Sequence, residues 1–321
     1  MTSASPRTRF LDRTLIGLIA ALLALLVGGL LLPQWALSFG TVALYLGIVV
    51  LGMALLMRTG LVSFGQGLYY CLGAYAAGTL DHFFNLSDLL LMVVAGCALA
   101  VLVAAILGLL LAKYRDIFFA MLSLAFSMIL YGLLVKTSQL GSTDGFGLSV
   151  KTFAGIALSE TRGRYVIFTF AAVLAFACAV FMHRYFNSHL GRLATAIRDN
   201  ELRVEYMGES VHRVIHLNYV ISAAMAGIGG ALMAGAIGHV DPETTANWTT
   251  SGEFVFVAIL GGTGSVFAPF LGAGIFEAVR TFALERFPNT WQMTLGITML
   301  LVMIFLPGGL WSAFRARRRA A

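Results

Sequence analysis

Gly191–Arg213 reads GRLATAIRDNELRVEYMGESVHR, a charged and helix-prone stretch inside a chain otherwise built of apolar runs. It splits at Asp199-Asn200, residues that cap helix N-termini well, and again at Gly208, a natural helix stop. Between them, Glu201 to Met207 makes about two helical turns. Leu202 and Tyr206 recur at a spacing of four, which gives an apolar ridge in a charged surround, suited to a groove on a soluble partner. An interfacial helix lying on lipid is the competing reading. It fits less well, because Glu201, Glu205 and Glu209 would face anionic headgroups.

Outward from this stretch the composition changes character. Of 321 residues, 59% are hydrophobic and 11% charged, and mean hydropathy is +0.88. A water-soluble domain carries roughly a quarter of its residues as charges. The apolar runs fall near 14–32, 37–57, 61–80, 88–112, 117–135, 165–182, 214–237, 253–284 and 291–307. Most approach the ~20 residues a helix needs to cross ~30 Å of hydrocarbon, and none shows the alternation of a barrel strand. The fold class is therefore an all-α polytopic membrane protein. The first run is longer than a signal-peptide core and lacks a convincing cleavage site, so it reads as a retained span. The net charge of +6 does not indicate nucleic acid, because the arginines sit at the ends of apolar runs as topology signals do. Cys71, Cys97 and Cys178 lie inside apolar runs and imply no disulfide framework.

Loop charge sets an orientation. Cationic residues mark the N-terminus, Arg58, the Lys113–Arg115 turn, the 183–213 segment and the Arg315–Arg319 tail. The 81–88 turn and the 239–252 loop are acidic. The positive-inside rule then places both termini in the cytoplasm. Lys136 and Lys151 in the 136–163 loop run against this scheme. Parity requires 253–284 to cross an even number of times, and Gly261-Gly262-Thr263-Gly264-Ser265 supplies the break. The expectation is about eight full transmembrane helices and a broken or re-entrant pair near 253–284. Non-helical backbone at that depth survives where it is buried in protein or lines a wet cavity, and broken helices often mark a transport path. The domain plan is a 1–13 tail, one 14–310 permease domain with 183–213 as a cytoplasmic loop, and a basic 311–321 tail.

Polar residues within the spans define candidate path positions. Ser63 and Gln66 sit among glycines near Tyr69, Tyr70 and Tyr75; uncompensated in lipid, they should face the bundle interior. Tight helix packing explains the same residues. Asn218 and Ser222 lie one turn apart and either line a pathway or bond across helices. Ala226, Gly230, Ala234 and Gly238 repeat every four residues, a face for close helix approach.

Three motifs in order carry a resemblance. Gly191–Gly208 followed by Val220–Ala231, Ser63-Phe-Gly-Gln-Gly67 with Leu72–Tyr75, and Ser251 with Leu260–Ser265 and Pro269–Ala273 together resemble the permeases of branched-chain amino-acid-type ABC importers, specifically the LivM-like subunit. The resemblance covers residues 40–310. It implies a permease subunit paired with a LivH-like sister permease. It also implies two cytoplasmic P-loop ATPase subunits, a periplasmic solute-binding protein and a bacterial inner-membrane location. It assigns Arg192, Arg198, Asp199, Asn200, Glu201 and Gly208 to the ATPase-coupling element. With the path candidates Ser63, Gln66, Tyr69, Asn218, Ser222, Thr263 and Ser265, it implies alternating access driven from the 199–208 helix. Ile215 and Asn218 replace a usual lysine and a small apolar residue, and Gly141-Ser-Thr-Asp-Gly145 replaces a double-glycine motif. These departures leave the solute open.

The residues agree on the division of labour. No G-x-x-x-x-G-K-[ST] phosphate loop is present, so ATP chemistry belongs to another chain. No catalytic or metal motif appears, and His183, His189, His212 and His216 read as solvated or interfacial. No cofactor is implied. An ATP-independent secondary transporter or channel is the rival reading. It would need an ion relay, for which Glu277, with Arg280 one turn away, is the deep candidate. A membrane-embedded enzyme would need clustered catalytic groups, and none stands out.

Overall fold

The computed structural model describes residues 13–150, 152–153, 155–157, 160–305 and 308–312. Arg7, Arg9, Lys151 and the Arg315–Arg319 cluster lie outside the described residues. The chain folds into helices α1 (Arg13–Leu31), α2 (Gln34–Arg58), α3 (Gln66–Phe84), α4 (Leu89–Leu111), α5 (Asp116–Lys136), α6 (Glu160–Asn187), α7 (His189–Asp199), α8 (Glu201–Tyr206), α9 (Val211–Ile237), α10 (Pro242–Thr245), α11 (Trp248–Gly261), α12 (Ala268–Arg286) and α13 (Trp291–Phe305). Among the described residues, strands are confined to two small pairs: β1 (Phe146–Gly147) with β4 (His239–Val240), and β2 (Thr152–Phe153) with β3 (Ile156–Ala157).

Six of these helices, α1, α2, α4, α5, α6 and α9, are long and apolar enough to cross a bilayer by length and composition. The protein is an all-α polytopic membrane protein. The remaining bundle helices depart from that pattern for visible reasons. α3 opens on Gln66 and carries Asp81 and His82, α11 has 14 residues, and α12 carries Glu277, Arg280, Glu285 and Arg286.

α9 is the axis, packed against α2, α3 and α4. Ser210 caps its start, its hydroxyl accepting from the Arg213 amide, and Gly238 ends it at φ 75°. The small-residue face does what its spacing predicts. A Cβ on Gly230 would lie 1.9 Å from the Tyr70 carbonyl oxygen, and one on Gly73 would lie 2.1 Å from that of Gly227. Backbones at this separation make close contact that no larger residue allows. α1 and α13 lie outside this core; α1 packs on α6, and α13 on α12 and α11. They turn Leu23, Val27, Leu300 and Ile304 outward, as does α5 with Met121, Ile129 and Leu133.

The break at 261–265 is real and tight. Gly262 stands at φ 87°, a conformation glycine adopts without strain. α11 and α12 fold back on each other around it, with Gly272 against Val257 and Gly261 against Ala268. The tip of this hairpin is held at the end of the bundle where α2 finishes, since Arg58 Nε donates to the Thr263 carbonyl at 2.8 Å. Gly17 of α1 meets Phe267, and Gly309 meets Gly262, so the first and last described segments gather at that same end.

The opposite end holds the β pairs. There the 239–252 segment is more than an acidic loop. Asp241 caps α10, but Thr245, Ala246 and Ser251 are fully buried. Ser127 Oγ of α5 donates to the Ala246 carbonyl, and the Gly67 amide of α3 donates to Ser251 Oγ. Glu243 stays exposed and Asp241 is largely covered, while the hydroxyl-rich part turns into the bundle. In the turn before α4, burial works to raise the Asp88 carboxyl. The amides of Gly155, Leu91 and Leu90 and the Thr152 hydroxyl outweigh it and hold that carboxyl below its ordinary range.

Candidate functional site

Polar side chains collect in three places, which differ in how their hydrogen bonds are spent.

The first is the α7–α8 element. Ser188 caps α7 and Asn200 caps α8, its side chain accepting from the Arg203 amide; Gly208 ends the unit at φ 86°. Val204 is buried and anchors α8, while Leu202 is 64% and Tyr206 89% exposed, with Met207 beside them. The apolar ridge thus points away from the bundle. Glu201 is tied down by Arg115 at 2.6 Å, which fixes α8 to the α4–α5 turn. Arg198 lies along Gly60 in the turn after α2. Arg192, Asp199 and Asn200 are exposed. The six coupling candidates therefore share one capped, surface-facing unit.

The second is a seam where α9 meets α2 and α3. Gln66 Nε2 donates to both the carbonyl and the hydroxyl of Ser222 at 3.0 Å. Tyr69 donates to the Tyr219 hydroxyl at 2.8 Å, their rings edge to face. Asn218 Nδ2 donates to Thr59 Oγ1 at 3.1 Å, and its oxygen accepts from Tyr185. Ser63 Oγ accepts from the Gly65 amide. Ser63, Gln66, Asn218 and Ser222 are completely buried or nearly so. Gln66, Tyr69 and Asn218 bond across helices, Ser63 closes a local turn, and none of these side chains lines the cavity described next. Thr263 and Ser265 are half-buried at the hairpin tip, where Ser265 Oγ accepts from the Phe267 amide. The Arg58 guanidinium, 3.8 Å over the Phe186 ring, braces this tip against α6.

The third is a cavity of about 370 Å³ between α2, α9, α11, α12 and α13, at the end opposite α8. Glu253 from α11 and Glu277 and Arg280 from α12 enter it together, with Tyr45 and Tyr70 on the far wall and Trp291 at the rim. Arg280 Nη1 stands 4.0 Å from each carboxylate, and its Cζ is 5.8 Å over the Trp291 ring. Sequence reading singled out Glu277 and Arg280 but passed over Glu253. Its signal was available, since a carboxylate inside an apolar helix is rarely idle. Its partners, however, come from across the hairpin. Among the described residues, no cluster of three or more His, Cys, Asp or Glu side chains is placed to hold a metal ion.

Comparison with known proteins matches residues 35–304 to the family described as branched-chain amino acid transport system / permease component. The chain is 29% identical over 317 residues to the LivM high-affinity branched-chain amino acid transport permease of Escherichia coli K12, covering 90% of this chain and 74% of that one. It is 26% identical over 316 residues to the LivM protein of Salmonella typhimurium, covering 91% of this chain and 74% of that one. The LivH permease of Salmonella typhimurium matches at 29% over 167 residues, 51% of this chain and 49% of that one. No solved structure matches the chain significantly. The family match runs from the start of α2 to the end of α13, so it takes in the break, the seam and the α7–α8 unit alike. The chain belongs to the branched-chain amino acid transport system permease family and is a permease subunit of an ABC importer.

Proposed function

We propose that the chain forms one half of the translocation path for branched-chain amino acids or a related small solute, and that it docks a cytoplasmic ATPase through α7–α8. The observation that carries this reading is the exposed Leu202–Tyr206 ridge on a capped helix clamped to the bundle by Arg115–Glu201. A ridge held this way transmits displacement. It is neither loose enough to lag behind a moving partner nor buried within its own fold. In this reading Arg192, Arg198, Asp199, Asn200, Glu201 and Gly208 form the coupling element. ATP-driven closure of the partners pushes α8 as a lever and switches the path between its two openings.

The partners follow the family pattern: a LivH-like sister permease, two P-loop ATPase subunits, and a periplasmic binding protein that delivers solute. The location is the bacterial inner membrane, with both termini cytoplasmic and about eight full spans flanking the α11–α12 pair. The gathering of α1's start, the hairpin tip and residues 308–312 at the α8 end supports that topology. Ser63, Gln66, Tyr69, Asn218 and Ser222 act in transport as the joint on which α9 moves against α2 and α3. Thr263 and Ser265 act where the hairpin tip meets α2.

Tagged chain is purified from its native membrane in mild detergent and its companions identified by mass spectrometry, with ATPase activity measured. The expected result is co-purification of P-loop subunits and a second permease. Both the ATPase subunits and the activity should be lost on combined charge reversal at Arg198 and Glu201. A chain that purifies alone and moves solute in liposomes without ATP would sink the reading.

A further inference from the structure

The α2–α11–α12 cavity is lined by one guanidinium, Arg280, and four carboxylates. Asp241 and Glu243 are spent on Thr244, Tyr131 and Asn247, while the spacing of Glu253, Glu277 and Arg280 leaves hydrogen-bonding capacity open on both signs of charge. Arg280 Nη1 is 4.0 Å from Glu253 and 4.0 Å from Glu277. That distance keeps the charges electrostatically paired but exceeds hydrogen-bond length. Among the described residues, Arg280 donates no hydrogen bond, and Glu277 Oε2 is buried with no hydrogen-bond partner. The Glu277 side chain is 14% exposed, and those of Glu253 and Arg280 are 29% and 37%. Charges drawn this far from water are normally hydrogen-bonded as well as paired. At the seam, by contrast, Gln66, Tyr69 and Asn218 are all bonded within the protein.

We propose that this cavity is an α-amino acid binding site that recognises the zwitterion. Arg280 takes the ligand carboxylate through its forked N–H groups, and Glu253 and Glu277 flank the ammonium. An aliphatic side chain lies against Tyr45, Tyr70 and Phe254. Charge arithmetic selects this ligand over its relatives. Four carboxylates against one guanidinium leave the lining net negative, so a simple anion is repelled. A simple cation leaves the Arg280 donors unused. A zwitterion satisfies both. The volume of about 370 Å³ falls within the ~300–1,000 Å³ typical of small-molecule sites. The lining also supplies aromatic walls of the kind that hold apolar side chains. The site deepens the importer reading above and rests on it for the choice of an aliphatic amino acid.

The test uses the chain in complex with its co-purified subunits in lipid nanodiscs, titrated with L-leucine, L-leucinamide and 4-methylpentanoate while tryptophan fluorescence is followed. Trp291→Phe identifies the reporter at the cavity rim. Saturable binding of leucine is expected, with leucinamide and 4-methylpentanoate each weaker by about ten-fold or more. Arg280→Gln should weaken leucine by a similar factor and abolish its advantage over leucinamide. Glu277→Gln should abolish its advantage over 4-methylpentanoate, and Arg280→Lys should restore part of the leucine affinity. Leucinamide binding as tightly as leucine, or leucine affinity unchanged in Arg280→Gln, overturns the site. ATP-driven leucine uptake by the same complex reconstituted into sealed liposomes separates the two levels. Uptake that persists with unaltered KM in Arg280→Gln removes the site and leaves the importer standing. Loss of uptake in the unmodified complex removes the importer reading itself.

Discussion

The α3–α9 seam and the α11–α12 cavity both place polar side chains inside a bundle made for lipid, yet they do so in opposite ways. At the seam, Gln66 spends its amide on Ser222, Tyr69 on Tyr219 and Asn218 on Thr59, each bond joining two helices. At the cavity, Arg280 stands a full 4.0 Å from both Glu253 and Glu277 beside open volume. The first arrangement is what a packed interface needs, because a buried donor without a partner costs about 1–3 kcal/mol. The second keeps that capacity available to a ligand. Polarity inside a membrane protein is thus two signals, and the state of the hydrogen bonds separates them.

The largest test of this contrast is steric. Gly230→Leu drives a side chain into the Tyr70 carbonyl, where even a Cβ has 1.9 Å. Overpacking typically costs about 1–3 kcal/mol, and a backbone clash at a central helix crossing exceeds that range. Little or no monodisperse chain is expected in fluorescence-detected size exclusion. Recovery at the unmodified level would mean that α9 and α3 do not meet as described.

The next test sets the regions directly against each other. Gln66→Leu strips the bonds to Ser222 and should lower stability by about 1–2 kcal/mol. It would be seen as a lower melting temperature in detergent. Glu277→Gln should lower the melting temperature less, because its carboxylate holds no hydrogen bond to lose, while raising the KM for uptake. The reverse ordering would erase the distinction between seam and cavity.

The smallest effect sharpens the seam alone. A double-mutant cycle of Tyr69→Phe and Tyr219→Phe, read by thermal or denaturant unfolding in micelles, should give a coupling of about 0.6 kcal/mol, the size common between membrane helices. A value indistinguishable from zero would mean that the edge-to-face rings, rather than the 2.8 Å hydroxyl bond, hold these helices.

The features legible in the sequence are those written over a few consecutive residues. Asn200 and Gly208 bracket α8 because a cap and a positive-φ glycine act within one turn of the backbone. The Gly261–Ser265 break was visible for the same reason, as was the four-residue repeat of small side chains on α9. Asn218 and Ser222 were left between pathway and interhelical bonding, because one strand of sequence shows a polar group without showing its partner. The structure supplies those partners from 156 and 159 residues away for Ser222 and Asn218.

By itself, the chain determined a multi-span helical membrane protein with a broken penultimate span and a surface-directed polar helix. Hydrophobic run length and capping chemistry are local, and lipid enforces them span by span. The tertiary structure decided which polar residues are spent and which are free. Glu253 meets Glu277 and Arg280 only because α11 and α12 fold back on each other around Gly262 and the pair closes against α2 and α13. A cavity is a property of how helices rotate and lean together, and that follows from close packing across the whole bundle.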